Sequence, residues 1–78
     1  MDLIRMTATE IVALLSRREV STGELLEALE ARVAAVDGAV NALPTLCFDR
    51  ARGERSTSAA PLRGLPVAVK DLTAVAGV

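Results

Sequence analysis

The chain has 78 residues, enough for one small domain that buries only a modest part of its surface. Its net charge is -1, with acidic and basic residues interspersed, so the sequence gives no electrostatic basis for binding nucleic acid or an anionic membrane. A single cysteine and the absence of histidine exclude an intramolecular disulfide and argue against a zinc site, so no metal or other cofactor is expected.

The N-terminal residues lack the basic lead and the apolar core of a signal peptide. No later run of apolar residues approaches the length of a membrane span. Residence in the cytoplasm is therefore the expectation for this chain.

The residue spacing of a capping box occurs twice in the chain and predicts two helices. Thr7 with Glu10 predicts a short amphipathic helix over about 7–18. Ser21 with Glu24 predicts a second helix over about 21–37. Gly38 is expected at the C-terminal end of this second helix, and its apolar stripe consists of Leu25, Leu29, Val33 and Val36.

Arg32 departs from the pattern of the second helix. At about 100° per residue it falls within the apolar stripe, seven residues after Leu25. A buried guanidinium requires a carboxylate or carbonyl partner, so we expect Arg32 either to be paired or to extend its tip to water. Our hypothesis is that Arg32 ties this helical layer to the rest of a larger fold.

A first strand is predicted over about 43–48, where the residues are apolar and partly β-branched. Pro44 places this strand at a sheet edge or at its own first residues. Cys47 lies in the run and is predicted to be a buried structural thiol. Residues 51–60 have weak periodicity and predict a linker or a frayed helical turn.

A second strand is predicted over about 66–70. Pro66 has no N–H and suits the first position of a strand, and the β-branched residues that follow favour an extended continuation. Alternation with period two places Lys70 over the small side chain of Ala68, which leaves space beside the ammonium group.

Lys70 is the only lysine among nine basic residues. Arginine stays charged, whereas a desolvated lysine can lose its proton and act as a general base. A lysine at the end of a strand more commonly has a structural role and reaches water. Spacing alone leaves both interpretations open and favours the structural one.

The C-terminal segment combines a Gly-x-Pro lead-in, a small and β-branched run, a Lys-Asp pair and a later glycine, in the order Gly64-Leu65-Pro66-Val67-Ala68-Val69-Lys70-Asp71 and Gly77. In these features it resembles the lysine-bearing segment of the amidase signature family. Residues 7–43 are similar to the two N-terminal helices of that family, and only residues about 49–60 fit poorly.

The resemblance implies amide hydrolysis by a Ser-cisSer-Lys triad. In the family a neutral lysine holds a bridging serine, and that serine activates the nucleophilic serine. The triad lysine is assigned by the resemblance to Lys70, and a neighbouring structural acid to Asp71. Both serines and the oxyanion-hole amides belong to a later Gly- and Ser-rich segment of the family, so the 78-residue chain alone is expected to be inactive. Neither triad serine is matched by Ser16, Ser21, Ser56 or Ser58.

The resemblance also implies an α/β fold with a mixed central sheet covered by helices. Residues 1–78 would form the N-terminal fragment of a single amidase domain, with two helices followed by two strands. The expected partners are a small-molecule amide substrate and the remainder of the amidase domain. Self-association through unpaired strand edges, giving a homo-oligomer, is an alternative.

Two other functions stay open at this point. The amphipathic helices alone would suit a non-catalytic helical interaction module that docks on a partner. Within the family, the chain could belong to a glutamine-hydrolysing subunit of a tRNA-dependent amidotransferase. In those subunits asparagine commonly follows the Lys-Asp pair, and Leu72 in this position favours a general amidase.

Overall fold

A computed structural model of the chain describes residues 2–54, 60–70 and 74–77. A short 3₁₀ helix, Leu3–Arg5, precedes three α-helices: α1 (Ala8–Ser16), α2 (Thr22–Val40) and α3 (Phe48–Gly53). Across the three described ranges no residue lies in a β-strand. None of the helices within them is long and apolar enough to cross a membrane.

Both predicted capping boxes are present and fix the starts of α1 and α2. At α1 the Glu10 N–H donates to Thr7 Oγ1 at 3.2 Å, and the Thr7 N–H donates to Glu10 Oε1 at 3.0 Å. At α2 the Glu24 N–H donates to Ser21 Oγ at 3.1 Å, and the Ser21 N–H donates to Glu24 Oε1 at 3.3 Å. These bonds satisfy N–H groups that have no partner within the helix, which is why each helix begins directly after its capping residue.

The predicted end of α2 at Gly38 is wrong, because the helix continues to Val40. Asn41 then adopts a left-handed conformation with φ 54°, which asparagine tolerates better than most residues. The Asp37 carboxylate accepts hydrogen bonds from the N–H groups of Ala42, at 2.8 Å, and Leu43, at 3.3 Å. The chain therefore turns after Asn41 and does not need glycine to end the helix.

The core of the described residues is small and aliphatic. Its buried side chains are Ile11, Val20, Leu25, Leu26 and Val33. Around the first three of these pack the partly buried Leu3, Met6, Leu14, Leu15 and Leu65. Leu65 thus brings the C-terminal part of the chain onto the helical layer.

The prediction of an α/β fold is wrong for the part of the chain that the structure describes. Residues 41–47 form an irregular connection where a strand over 43–48 was predicted, and Phe48 already begins α3. Residues 65–70 lie outside any strand as well. A strand needs a neighbouring strand to bond its backbone N–H and C=O groups, and no described segment provides one for either run.

Two smaller predictions in this region have different outcomes. Cys47 is exposed, contrary to the prediction of a buried thiol, because the apolar run that contains it lies outside the core. The weakly periodic stretch over 51–60 begins inside α3, and residues 55–59 lie outside the described ranges.

Arg52 attaches α3 to α2 through a 2.5 Å ion pair with Glu30.

Arg32 is exposed, which agrees with the expectation that its tip reaches water. It takes part in none of the ion pairs found among the described residues, whose cations are Arg5, Arg17, Arg50 and Arg52. Of the two alternatives expected for Arg32, the described part of the chain therefore shows the exposed side chain and no carboxylate partner.

The cap of α1 makes the pKa of Glu10 a test of this geometry. Hydrogen bonds from the backbone N–H and then the side chain of Thr7 lower the pKa of the Glu10 carboxyl from its ordinary value of 4.5. Because the pKa is depressed in the folded state, the stabilisation is present above pH 4.5 and is lost as the pH falls through the folded-state pKa. Thr7→Val removes the side-chain hydrogen bond and keeps the backbone N–H, so it should raise the pKa of Glu10 part of the way toward its ordinary value in an NMR titration. Thr9→Val, in the same helical turn, should leave the pKa low. An unchanged pKa in Thr7→Val would contradict the contribution of the Thr7 hydroxyl to the cap.

Candidate functional site

The segment that carries Lys70 begins with a tight turn. The Arg63 N–H donates to the Ala60 carbonyl at 3.3 Å, and the Leu65 N–H donates to the Leu62 carbonyl at 2.9 Å. Arg63 and Gly64, the two central residues of the second turn, have φ values of 52° and 88°. Positive φ at both central positions is the pattern of a type I′ turn, in which glycine is strongly favoured.

Two contacts hold this turn on the helical layer. The side chain of Leu65 packs against the buried cluster of Ile11, Val20 and Leu25. The hydroxyl of Thr22, in the first turn of α2, donates to the carbonyl of Gly64 at 3.0 Å in a partly buried position. The position of residues 64–65 is therefore set by one apolar contact and one directional contact.

The chain leaves the helical layer after Pro66. Val67 is 66% exposed and Val69 is 55% exposed, although both are large apolar residues. Lys70 is exposed as well, and Asp71 lies outside the described residues. The lysine predicted to act in catalysis thus lies on a surface that carries two uncovered valines.

The described residues do not bring a serine to Lys70. Ser21 uses its hydroxyl in the cap of α2, and Ser16 is exposed at the end of α1. Ser56 and Ser58 lie outside the described ranges. Lys70 is the one triad residue predicted in this chain, and no described serine hydroxyl is hydrogen-bonded to it.

An apolar pocket of about 210 Å³ lies beside the start of the lysine segment. Arg32 is the charged residue in its lining, which otherwise consists of aliphatic and proline side chains. Among them are Leu3, Met6, Leu25, Leu29 and Pro66. The pocket joins the helical layer to the segment that leads to Lys70.

Comparison with known proteins finds similar sequences in an amidotransferase subunit, a hydrolase and an amidase. The chain is 38% identical over 89 residues to a glutamyl-tRNA(Gln) amidotransferase subunit from Anaeromyxobacter dehalogenans (strain 2CP-C), covering 99% of this chain and 18% of that protein. It is 41% identical over 68 residues to a 6-aminohexanoate-cyclic-dimer hydrolase of Paenarthrobacter ureafaciens, covering 87% and 14%. An amidase of Pseudomonas putida is 36% identical over 85 residues, covering 99% and 18%. No protein-family model and no solved structure matches the chain.

The chain belongs to the amidase signature family. It spans less than a fifth of the length of the curated relatives that it matches. The matched region includes nearly all of the chain, so the helical layer and the lysine segment are inherited together.

Sequence reasoning identified the lysine segment of this amidase-family chain but missed its anchor on α2. Ser21 and Thr22 stand together at the start of α2, and only one hydroxyl is needed for the capping box. The additional hydroxyl, that of Thr22, was the feature of the sequence that could have indicated a further contact. Its acceptor could not be inferred, because Gly64 lies 42 residues away along the chain.

The turn before Lys70 predicts different effects of substituting its two central residues. At Gly64, with φ 88°, a side chain is strained, so Gly64→Ala should lower the free energy of unfolding by about 1–2 kcal/mol. Arg63→Gly removes a Cβ that already sits at positive φ and should not destabilise the turn in this way. Urea denaturation followed by circular dichroism checks both variants. A Gly64→Ala variant as stable as the parent would contradict the assigned turn.

Proposed function

We propose that this chain is the N-terminal, lysine-bearing part of an amidase that hydrolyses carboxylic amide bonds of small molecules through a Ser-cisSer-Lys triad. Lys70 is the triad lysine in this proposal. The observation that carries this proposal is the Lys-Asp segment from Gly64 to Asp71. It lies in a chain of which 99% aligns with an amidase at 36% identity. A 6-aminohexanoate-cyclic-dimer hydrolase with 41% identity supports the same reaction class.

In the proposed mechanism Lys70 moves a proton and does not attack the substrate. The unprotonated amine accepts a proton from the bridging serine, which in turn takes the proton of the nucleophilic serine as that oxygen attacks the amide carbonyl carbon. The C–N bond then breaks as the leaving amine receives a proton by the reverse relay, and water cleaves the resulting acyl-serine to release the carboxylic acid and restore the serine hydroxyl. Desolvation disfavours the charged form of a lysine, so the mechanism requires that Lys70 be covered in the complete enzyme.

The exposure of the lysine segment supports this requirement. Val67 and Val69 lie within the segment that carries Lys70 and present large apolar side chains to solvent. Burial of such side chains is favourable by about 1.5–3 kcal/mol each. Residues of a larger amidase domain that cover both valines would enclose the lysine at the same time.

Arg32 supports the same view of residues 1–78 as one part of a single amidase domain. The residues one helical turn away from it are Ala28, Leu29, Ala35 and Val36, so α2 itself offers it no carboxylate. Arg32 lies in the lining of the apolar pocket beside Pro66. In our proposal a carboxylate from the remainder of the domain pairs with Arg32 when that remainder covers the pocket.

A second candidate function within the family is glutamine hydrolysis in a tRNA-dependent amidotransferase. The glutamyl-tRNA(Gln) amidotransferase relatives support it, since one from Acidothermus cellulolyticus (strain ATCC 43068 / DSM 8971 / 11B) is 41% identical over 85 residues. Leu72 after the Lys-Asp pair favours the general amidase. Release of ammonia from simple aliphatic and aromatic amides, with glutamine a poor substrate, would separate the first function from the second.

Substitution of Lys70 in the full-length enzyme tests the proposed role. Lys70→Ala and Lys70→Arg should each lower kcat by about 10²- to 10⁴-fold, because neither side chain can accept a proton near neutral pH. The measurement is ammonia release from an amide substrate at saturation. Arg17→Ala, which removes an exposed cation, should keep normal turnover. Turnover near the parent value in Lys70→Ala would end the assignment of Lys70 to the triad.

Substitution of Arg32 tests whether other parts of an amidase domain cover the helical layer. Arg32→Ala should lower the melting temperature of the full-length enzyme, because it leaves a carboxylate without its partner. In residues 1–78 alone the same change should alter the free energy of unfolding by no more than about 0.5 kcal/mol. Thermal unfolding of both proteins gives the comparison, with Arg17→Ala as the control. An unchanged melting temperature in the full-length Arg32→Ala enzyme would refute the pairing.

A further inference from the structure

The side chain of Thr22 takes no part in the capping box of its own helix, α2. Ser21 caps α2, since its hydroxyl accepts the Glu24 N–H at 3.1 Å and the Glu24 carboxylate accepts the Ser21 N–H. Thr22 is the next residue, and its hydroxyl donates a hydrogen bond to a residue outside α2. That bond reaches the carbonyl of Gly64 at 3.0 Å and is partly buried.

The acceptor of this bond, the Gly64 carbonyl, lies where the orientation of the backbone determines the course of the chain that follows. Gly64 is a central residue of the turn with two positive φ values, and Leu65 enters the core directly after it. An apolar contact such as that of Leu65 has no preferred direction, whereas a hydrogen bond depends on the angle at its donor and acceptor. The Thr22 bond therefore sets the orientation of the backbone at the point where the lysine segment begins.

Between Pro66 and Lys70 the described contacts add little further restraint, and the next hydrogen bond along the chain is from the Arg50 guanidinium to the Ala76 carbonyl, six residues after Lys70. Pro66 is half-buried, and the residues from Val67 to Lys70 are exposed. An error in direction at Gly64 is carried along the chain to Lys70, six residues later. The position of the lysine relative to the helical layer thus depends on the Gly64 carbonyl.

We propose that Thr22 is a positioning residue for Lys70, acting through the hydrogen bond from its hydroxyl to the Gly64 carbonyl. This inference rests on the proposed function of Lys70 in amide hydrolysis. In this role Thr22 acts on the backbone of the lysine segment and not on the substrate. Its hydroxyl fixes the origin of the segment that delivers the lysine amine to the serines.

The test uses the full-length enzyme and a near-isosteric substitution. Thr22→Val removes the hydroxyl and keeps the β-branched shape, so kcat per active site should fall about 10- to 100-fold while KM changes little, as expected for a misplaced proton-transfer group. Active sites are counted by titration with a serine-directed covalent inhibitor, which separates loss of folded enzyme from loss of rate. Thr22→Ser restores the donor and should return kcat to within about threefold of the parent.

Thr9→Val is the matched control, because Thr9 is an exposed threonine in the first turn of α1. Its kcat should equal that of the parent enzyme. If Thr22→Val does not give folded enzyme, Thr22→Cys replaces it, and the weak thiol donor should give a kcat per site clearly below that of Thr22→Ser.

The outcomes separate this inference from the proposed function. Parent-like kcat per site in Thr22→Val, or in Thr22→Cys where that variant is used, overturns the positioning role if Lys70→Ala is inactive in the same assay. A fully active Lys70→Ala enzyme overturns the proposed function itself, whatever the Thr22 variants do. A loss in Thr22→Val that Thr22→Ser does not rescue also contradicts the inference.

Discussion

The attachment of residues 64–65 to the helical layer is the constraint on which the rest of the described structure depends. The chain has a single aromatic residue, so its core is built from aliphatic side chains of moderate area. Leu65 closes the cluster of Ile11, Val20 and Leu25 from outside the helices. The same short stretch of chain therefore completes the core and begins the segment that carries Lys70.

Because residues 64–65 both complete the core and begin the lysine segment, this segment is held on the helical layer at its start and exposed further along. Residues 64–66 are held by a hydrogen bond from Thr22 and by apolar packing, whereas Val67 and Val69 present their side chains to solvent. A chain that spans less than a fifth of its relatives' length is suited to such an arrangement, since covering residues can come from elsewhere in an amidase domain. In this account the helical layer acts as the fixed base from which Lys70 is presented.

How far the sequence predicted the structure depends on the distance over which each interaction acts. Both capping boxes were predictable, because their partners lie three residues apart and the pattern needs no tertiary context. The strands over 43–48 and 66–70 were not, because a strand depends on a neighbour that local sequence cannot supply. The end of α2 shows a local choice between two turn residues, in which Asn41 and not Gly38 took the left-handed conformation. For Lys70 the signal was family resemblance, since its spacing alone favoured a structural role.

The most direct test of the account is a crystal structure of the full-length enzyme, with the distance measured from Lys70 Nζ to the nearest serine Oγ. The account predicts a covered Lys70 whose amine lies about 2.6–3.2 Å from a serine hydroxyl, with Val67 and Val69 buried by residues outside 1–78. A Lys70 amine that extends into solvent with no serine hydroxyl within reach would contradict its role in amide hydrolysis.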